Sequence, residues 1–131
     1  MVRTAATSRP GRWSFDGTAW THFGDAPDAF TPGLATLGDE VVLYRGPNNA
    51  QAPDTTWKFD GTAWKQLAGV TLGSSRSNEA IASAGGSILV VGGFVNQAAI
   101  ADERTFDGAS WTKLVTTGPS ARGGAGMAWL P

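Results

Sequence analysis

Two arginines, Arg76 and Arg122, lie 46 residues apart, and each precedes a run of small residues. Asn78 and Glu79 follow the first of them closely. A guanidinium group, an amide and a carboxylate around one opening can hold a small polar ligand, such as a sugar or an anion. The alternative is that each arginine braces neighbouring structural units through backbone carbonyl groups, which its repetition favours. The candidate ligand-binding set is therefore Arg76, Asn78, Glu79 and Arg122.

Other residue types that perform chemistry have simpler explanations. Asp16, Asp60 and Asp107 each precede a glycine in the same short phrase, so we interpret them as turn formers rather than catalytic acids or calcium ligands. His22 is the only histidine, and its place in a strand predicts a solvent-facing side chain. One histidine cannot form a histidine-rich metal site. The chain also lacks a G-x-S-x-G motif. We predict no catalytic residue, no metal site, no cofactor and no enzymatic activity.

The charge balance argues against two classes of partner. Lys and Arg number 10 and Asp and Glu number 11, which gives a formal net charge of −1. Nucleic acids and anionic membranes both require a basic patch, and neither is expected here. Cysteine is absent, so disulfides and thiol chemistry are excluded. The chain contains no long apolar run and begins without the apolar stretch of a secretory signal, so we expect a soluble protein of undetermined compartment.

One phrase occurs three times. FDGTAW stands at Phe15–Trp20 and at Phe59–Trp64, and FDGASW stands at Phe106–Trp111, with spacings of 44 and 47 residues. Asp-Gly between two short apolar stretches is typical of a β-hairpin turn. Each copy therefore predicts a strand, a tight turn and a second strand. The repeated structural residues are Phe15, Asp16, Gly17, Trp20, Phe59, Asp60, Gly61, Trp64, Phe106, Asp107, Gly108 and Trp111.

Two further strands complete each repeat. The β-branched runs Glu40–Gly46 and Ser87–Gly93 predict buried strands. Strands rich in small residues are predicted at Leu34–Leu37, Glu79–Ala84 and Gly124–Leu130. No segment shows a helical period. The chain is therefore predicted to be all-β, with each repeat a four-stranded antiparallel meander of about 45 residues.

This pattern resembles the kelch-like repeats of bacterial β-propellers. The matches are the three FDG phrases, VVGG at Val90–Gly93 and PSARGGAGMAW at Pro119–Trp129. Two features depart from the pattern: Arg45-Gly46 replaces a double glycine, and the loop Asp25–Gly33 lacks the arginine. The resemblance implies blades whose small residues converge on a central axis and whose Phe and Trp side chains fill the wedge between sheets. It also implies a scaffold that binds a ligand or a protein through one loop face.

The resemblance further implies a single partial β-propeller domain over residues 1–131. The repeats fall at about 1–30, 31–75 and 76–131. Propellers close with typically four to eight blades, so three blades leave exposed faces and edges. We expect two chains to close a six-bladed ring head to tail as a homodimer.

In that ring, the C-terminal strand Gly124–Leu130 completes the N-terminal blade of the partner, and Val2–Thr7 substitutes for a missing strand. A nine-bladed trimer is the less favoured closure. Two other interpretations stay open: a lectin that uses repeated tryptophan platforms, and an excised or engineered propeller fragment without a native ligand.

Overall fold

The protein is built of β-strands. The computed structural model describes residues 11–25, 27, 30–46, 53–73 and 75–131, and within these ranges there is no helix, hence none that could span a membrane. The predicted all-β class is confirmed. The strands are β1 (Gly11–Phe15), β2 (Trp20–Asp25), β3 (Phe30–Leu37), β4 (Glu40–Gly46), β5 (Thr55–Phe59), β6 (Trp64–Gln66), β7 (Ala80–Ala84), β8 (Ser87–Val91), β9 (Phe94–Val95), β10 (Ala98–Ala99), β11 (Glu103–Phe106) and β12 (Trp111–Lys113).

Two four-stranded antiparallel meanders form the body of the described structure. The first sheet has the order β3-β4-β5-β6, and the second has the order β7-β8-β11-β12. Their registers correspond: Leu37 pairs with Glu40 in the first sheet, and Ala84 pairs with Ser87 in the second. The short β9–β10 hairpin lies in the loop between β8 and β11. Two of the three predicted repeats are thus complete four-stranded units.

The first repeat contributes only a hairpin. Strands β1 and β2 form a two-stranded antiparallel sheet and pair with no other described strand. Its large aromatic side chains Trp13, Phe15 and Trp20 are 59%, 52% and 65% exposed. The stand-in strand predicted at Val2–Thr7 lies outside the described residues. The hairpin therefore presents an apolar surface of the kind that the other two sheets bury.

The hydrophobic core lies between the two four-stranded sheets. Val42 and Tyr44 of β4 face the second sheet, where Ile88 and Val90 of β8 and Phe106 of β11 are buried. Period-2 alternation along β4 and β8 places these residues on one face of each sheet. Trp111, Ile81, Leu72, Val70, Leu67, Leu37 and Ala35 surround this core. Leu43 of β4 and Val91 of β8, on the opposite faces of these strands, are buried as well.

The inner strands of the two sheets also lie side by side. The Ser83 hydroxyl on β7 donates to the Thr36 carbonyl oxygen on β3 at 2.7 Å, and the Thr36 backbone N–H donates back to the Ser83 hydroxyl oxygen at 3.1 Å. Strands β3 and β7 belong to different sheets, so these bonds join the sheets at their first strands. Small side chains permit this approach, as expected for the strands rich in small residues.

Two details differ from the sequence predictions. Strand β8 ends at Val91, and Gly92 and Gly93 leave it with φ values of 67° and 100°. Only glycine adopts such angles without strain, which explains the double glycine. The segment Gly124–Leu130, predicted as an innermost strand, forms no strand within its own chain. A strand requires a hydrogen-bonded neighbour, and the described residues offer it none.

Candidate functional site

Three residues at corresponding positions of the repeat pattern, Thr31, Asn78 and Gly124, share a left-handed backbone. The φ angles of Thr31, Asn78 and Gly124 are 49°, 53° and 68°. Asn78 lies 47 residues after Thr31, and Gly124 lies 46 residues after Asn78, so the three occupy the same place in successive repeats. Positive φ at a β-branched threonine is rare and costs energy, and such strain is concentrated at functional sites. The repeated conformation makes this position a candidate functional site.

These three residues and their successors line one cleft of about 290 Å³. The backbone N–H of Gly124 donates to the Asn78 carbonyl oxygen at 2.8 Å and holds the final segment beside the second sheet. Of the predicted ligand-binding residues, Asn78 and Glu79 line the cleft, whereas Arg76 and Arg122 lie outside its lining. The complete lining is Thr31, Pro32, Asn78, Glu79, Gly124 and Ala125. An alignment of the repeats on the inner strands could have found the four residues that the sequence analysis missed.

Glu79 is the only charged residue of this described lining. Burial raises the pKa of its carboxyl group to about 7, against a smaller lowering effect of Arg76. Its Oε2 atom and the Oγ1 atom of Thr31 are both buried without a hydrogen-bond partner among the described residues. A β-carbon at Gly33 would stand 2.9 Å from Glu79 Oε1 and 3.3 Å from side-chain atoms of Ile81, so strand β3 passes close to these two side chains. In the part of the chain that the structure describes, two of the lining residues, Thr31 and Glu79, thus each have a buried oxygen atom without a hydrogen-bond partner.

Arg76 is directed into the second sheet. Its side chain is buried, with 1% of the residue exposed, and it forms an ion pair with Asp102. Its Nη1 atom also donates to the Gly92 carbonyl oxygen at 3.0 Å. These contacts match the bracing role that the sequence left as the alternative. They connect the turn before β7 with the ends of β8 and β11.

Asp102 is the centre of a cationic cluster. It accepts from Nε of Arg104 at 2.8 Å and lies 3.2 Å from Nζ of Lys113, in addition to its ion pair with Arg76. Burial alone would raise the pKa of this carboxyl group. The hydrogen bonds from Arg104, Arg76 and Lys113 outweigh burial and lower the pKa to about 2. The cluster is therefore a structural network held by an ionised carboxylate.

Arg122 is exposed and contacts its own segment. Its Nε atom donates to the Ser120 carbonyl oxygen at 2.9 Å, and its Nη2 atom donates to the Ser120 hydroxyl at 3.1 Å. Its carbonyl oxygen accepts a 2.8 Å bond from the Gly93 N–H. A β-carbon at Gly92 would stand 2.4 Å from this oxygen, and one at Gly46 would stand 2.5 Å from the Arg76 carbonyl oxygen. The chain thus passes the end of each four-stranded sheet in the same way.

The three aspartates of the repeated phrase form identical turns. Asp60 Oδ1 accepts the backbone N–H groups of Thr62 and Ala63 at 2.8 and 2.9 Å. Asp16 and Asp107 accept the corresponding pairs at the same distances within 0.1 Å. The glycines that follow have φ values between 96° and 105°. The turn geometry expected from Asp-Gly is present in every copy.

The aromatic residues of the phrase also pair in every copy. Ring centroids of Phe15 and Trp20, of Phe59 and Trp64, and of Phe106 and Trp111 lie 5.1, 5.2 and 4.9 Å apart. These are directly opposed cross-strand pairs, which stabilise antiparallel hairpins. Only Phe106 is fully buried, because only its hairpin packs on a complete preceding sheet.

The remaining candidate, His22, lies on β2 with an exposed side chain, and its ring centroid is 5.0 Å from that of Trp13. Within the described ranges, no group of three His, Cys, Asp or Glu residues could hold a metal ion.

In comparisons with known proteins, no family model and no curated protein matched this chain.

Proposed function

We propose that the chain is a non-catalytic half-propeller of the kelch-like type. Two copies close a six-bladed ring, and the ring binds a ligand or a protein through the face that carries the turns before the inner strands. The proposal rests on one observation above all. Each four-stranded sheet is complete, whereas among the described residues the hairpin β1–β2 has no inner strands beside it and the segment Gly124–Leu130 joins no sheet. A second copy supplies what each of them needs.

The interface between the two complete sheets provides a template for ring closure. Phe106 and Trp111 of the second sheet pack against Val42 and Tyr44 of the first. Phe15 and Trp20 have the same arrangement on their hairpin but are exposed. Packing them against the free face of a partner's second sheet would remove this apolar surface from water.

The same template predicts a specific contact between chains. Within one chain, Nε1 of Trp111 donates to the Thr56 hydroxyl. Glu103 is the counterpart of Thr56, because Thr56 pairs with Tyr44 and Glu103 pairs with Val91 at the same level of their sheets. Trp20 of the partner subunit would therefore donate to the Glu103 carboxylate. Glu103 is buried and already accepts a 2.6 Å bond from the Thr116 hydroxyl.

Solution mass tests the closure. Light scattering and native mass spectrometry should give about twice the 13.6 kDa chain mass, with a melting temperature that rises with protein concentration. Trp20→Ala should shift the protein toward monomer, whereas Thr21→Ala, an exposed change on the neighbouring position of β2, should not. A folded monomer with a concentration-independent transition would overturn the closure, and a trimer would overturn the six-bladed count.

The lectin alternative receives less support. A lectin of this type would present equivalent tryptophan platforms in each repeat. Trp20 is 65% exposed, but Trp111 is partly buried and its indole N–H is bonded to Thr56. The three positions are therefore not equivalent sugar platforms in the described structure, and we retain the scaffold as the proposed function.

A further inference from the structure

We infer that the cleft between Thr31, Glu79 and Ala125 binds a small ligand through a protonated amino group. This inference deepens the proposed binding role of the loop face and rests on it. It does not rest on ring closure, because every described lining residue belongs to one chain. The cleft, of about 290 Å³, is near the lower end of the size of small-molecule sites and suits a compact ligand.

The charges around the cleft favour a cation over an anion. The guanidinium of Arg76 is bonded to Asp102 and to the Gly92 carbonyl, and that of Arg122 is bonded to Ser120. Neither residue lines the cleft, so a ligand anion would face the Glu79 carboxylate instead of a cation. An ammonium group carries the charge that complements this wall.

The hydrogen-bonding groups at the cleft also favour a ligand with a protonated amino group. Thr31 Oγ1 and Glu79 Oε2 are buried and have no partner among the described residues. Buried polar atoms without partners destabilise a fold, so a ligand that donates hydrogen bonds to them is stabilised in return. An ammonium group has three donors and no acceptor, and both oxygens can accept from it. Pro32 and Ala125 provide apolar contacts for the carbon chain behind the amino group.

The occupancy of this cleft depends on pH in a defined direction. Burial raises the pKa of Glu79, and a hydrogen bond from its own backbone and the charge of Arg76 lower it. The neighbouring Tyr44 has a pKa raised by burial and by the charges of Asp54 and Glu79. Glu79 has a pKa of about 7, so it is ionised in mildly alkaline solution and neutral in acid. An alkyl amine stays protonated throughout this range. Binding should therefore strengthen as the pH rises through neutrality.

The probe is butylammonium chloride, with butan-1-ol and sodium butyrate of the same chain length as controls. Backbone amide resonances of Asn78 and Gly124 report on binding in a heteronuclear NMR titration. We expect saturable shifts with butylammonium only, and an affinity about thirtyfold lower near pH 5.5 than near pH 8, in proportion to the ionised fraction of Glu79. Equal binding of butan-1-ol or butyrate would overturn the inference, as would binding that ignores pH.

Substitutions test whether Glu79 and Thr31, rather than other parts of the molecule, bind butylammonium. Glu79→Gln should abolish the butylammonium shifts, and Thr31→Val should weaken the affinity about fivefold by removing one acceptor. The matched control is Glu40→Gln, a carboxylate paired with Lys58 at the other end of the β3–β4 hairpin, which should leave binding unchanged. Unaltered binding by Glu79→Gln would contradict the inference.

Solution mass measured on the same samples distinguishes this inference from ring closure. A dimer that does not bind butylammonium overturns the inference alone. A monomer that binds butylammonium overturns the closure alone.

Discussion

Nε1 of Trp111 donates a 2.9 Å hydrogen bond to the hydroxyl of Thr56, a residue 55 positions earlier in the chain. Trp111 begins β12 in the second sheet, and Thr56 lies in β5 of the first. The bond therefore crosses the interface between the sheets, and the Thr56 side chain that accepts it is fully buried. The repeated tryptophan connects successive sheets as well as forming its own hairpin.

Removing this acceptor should weaken the protein measurably. Thr56→Val keeps the β-branched shape but leaves the indole N–H without a partner, which should lower the free energy of unfolding by about 1–3 kcal/mol. Urea denaturation checks this value. Thr112→Val, on the exposed part of β12, is the matched control and should change stability by less than about 0.5 kcal/mol. Equal effects of the two variants would show that the hydrogen bond between sheets contributes nothing.

Asp102→Asn should be strongly destabilising. The substitution leaves the buried guanidinium of Arg76 without its carboxylate, and breaking a buried ion pair costs about 3–5 kcal/mol. Glu40→Gln removes the partly exposed pair between Glu40 and Lys58 and should cost less than about 1 kcal/mol. Chemical denaturation of both variants gives the comparison. Similar losses for the two would contradict the central role of Asp102.

Protonation of the Asp102 carboxylate should make the protein less stable at acidic pH. The pKa of Asp102 is about 2 in the folded protein, below its ordinary value of 3.8. A depressed folded pKa contributes stability above the unfolded value, and that contribution is lost as the pH falls through the folded value. The melting temperature should therefore decrease between about pH 4 and pH 2. Asp102→Asn should flatten this part of the curve, and an unchanged slope in the variant would assign acid unfolding to other groups.

Titration of Glu79 should give a pH dependence of stability with the opposite sign: stability should fall as the pH rises toward neutrality. Its folded pKa of about 7 exceeds the ordinary value of 4.5, so its contribution to stability is complete below pH 4.5 and is lost as the pH rises through 7. Without ligand, the melting temperature should decline between about pH 4.5 and pH 7, where the unfolded chain has lost this proton and the folded protein retains it. Glu79→Gln, which carries no titratable group, should remove this decline. A decline that persists in the variant would place the titration elsewhere.

The turns of the repeated phrase should respond to loss of their carboxylates. Asp60→Ala removes the acceptor for the N–H groups of Thr62 and Ala63 and should lower the melting temperature, whereas Asp60→Asn should lower it less because an amide oxygen still accepts. These N–H groups lower the pKa of Asp60, that of Ala63 most. Differential scanning calorimetry provides the measurement. Identical melting of Asp60→Ala and the natural chain would exclude a stabilising role for the turn carboxylate.

Much of the fold was predictable from local sequence because local interactions determine it. The Asp60-Gly61 turn depends on hydrogen bonds that span two and three residues, and the run Glu40–Gly46 became strand β4 with the predicted bounds. Period-2 alternation then decided which β4 side chains face another sheet. The all-β class and the meander order follow from these short-range rules.

The candidate site depended on long-range placement, which local rules do not contain. The sequence placed Arg76 beside Asn78 and Glu79 as one binding set, but the structure directs the guanidinium to Asp102, 26 residues later, and leaves Glu79 facing Thr31 of another sheet. Direction of a side chain depends on which partners surround it once the sheets have packed. The repeats could be recognised in the sequence because each is stabilised within itself. The cleft exists only where the two four-stranded sheets and the final segment meet. Within the described residues Gly124–Leu130 forms no strand, because a strand needs a hydrogen-bonded neighbour as well as a sequence pattern.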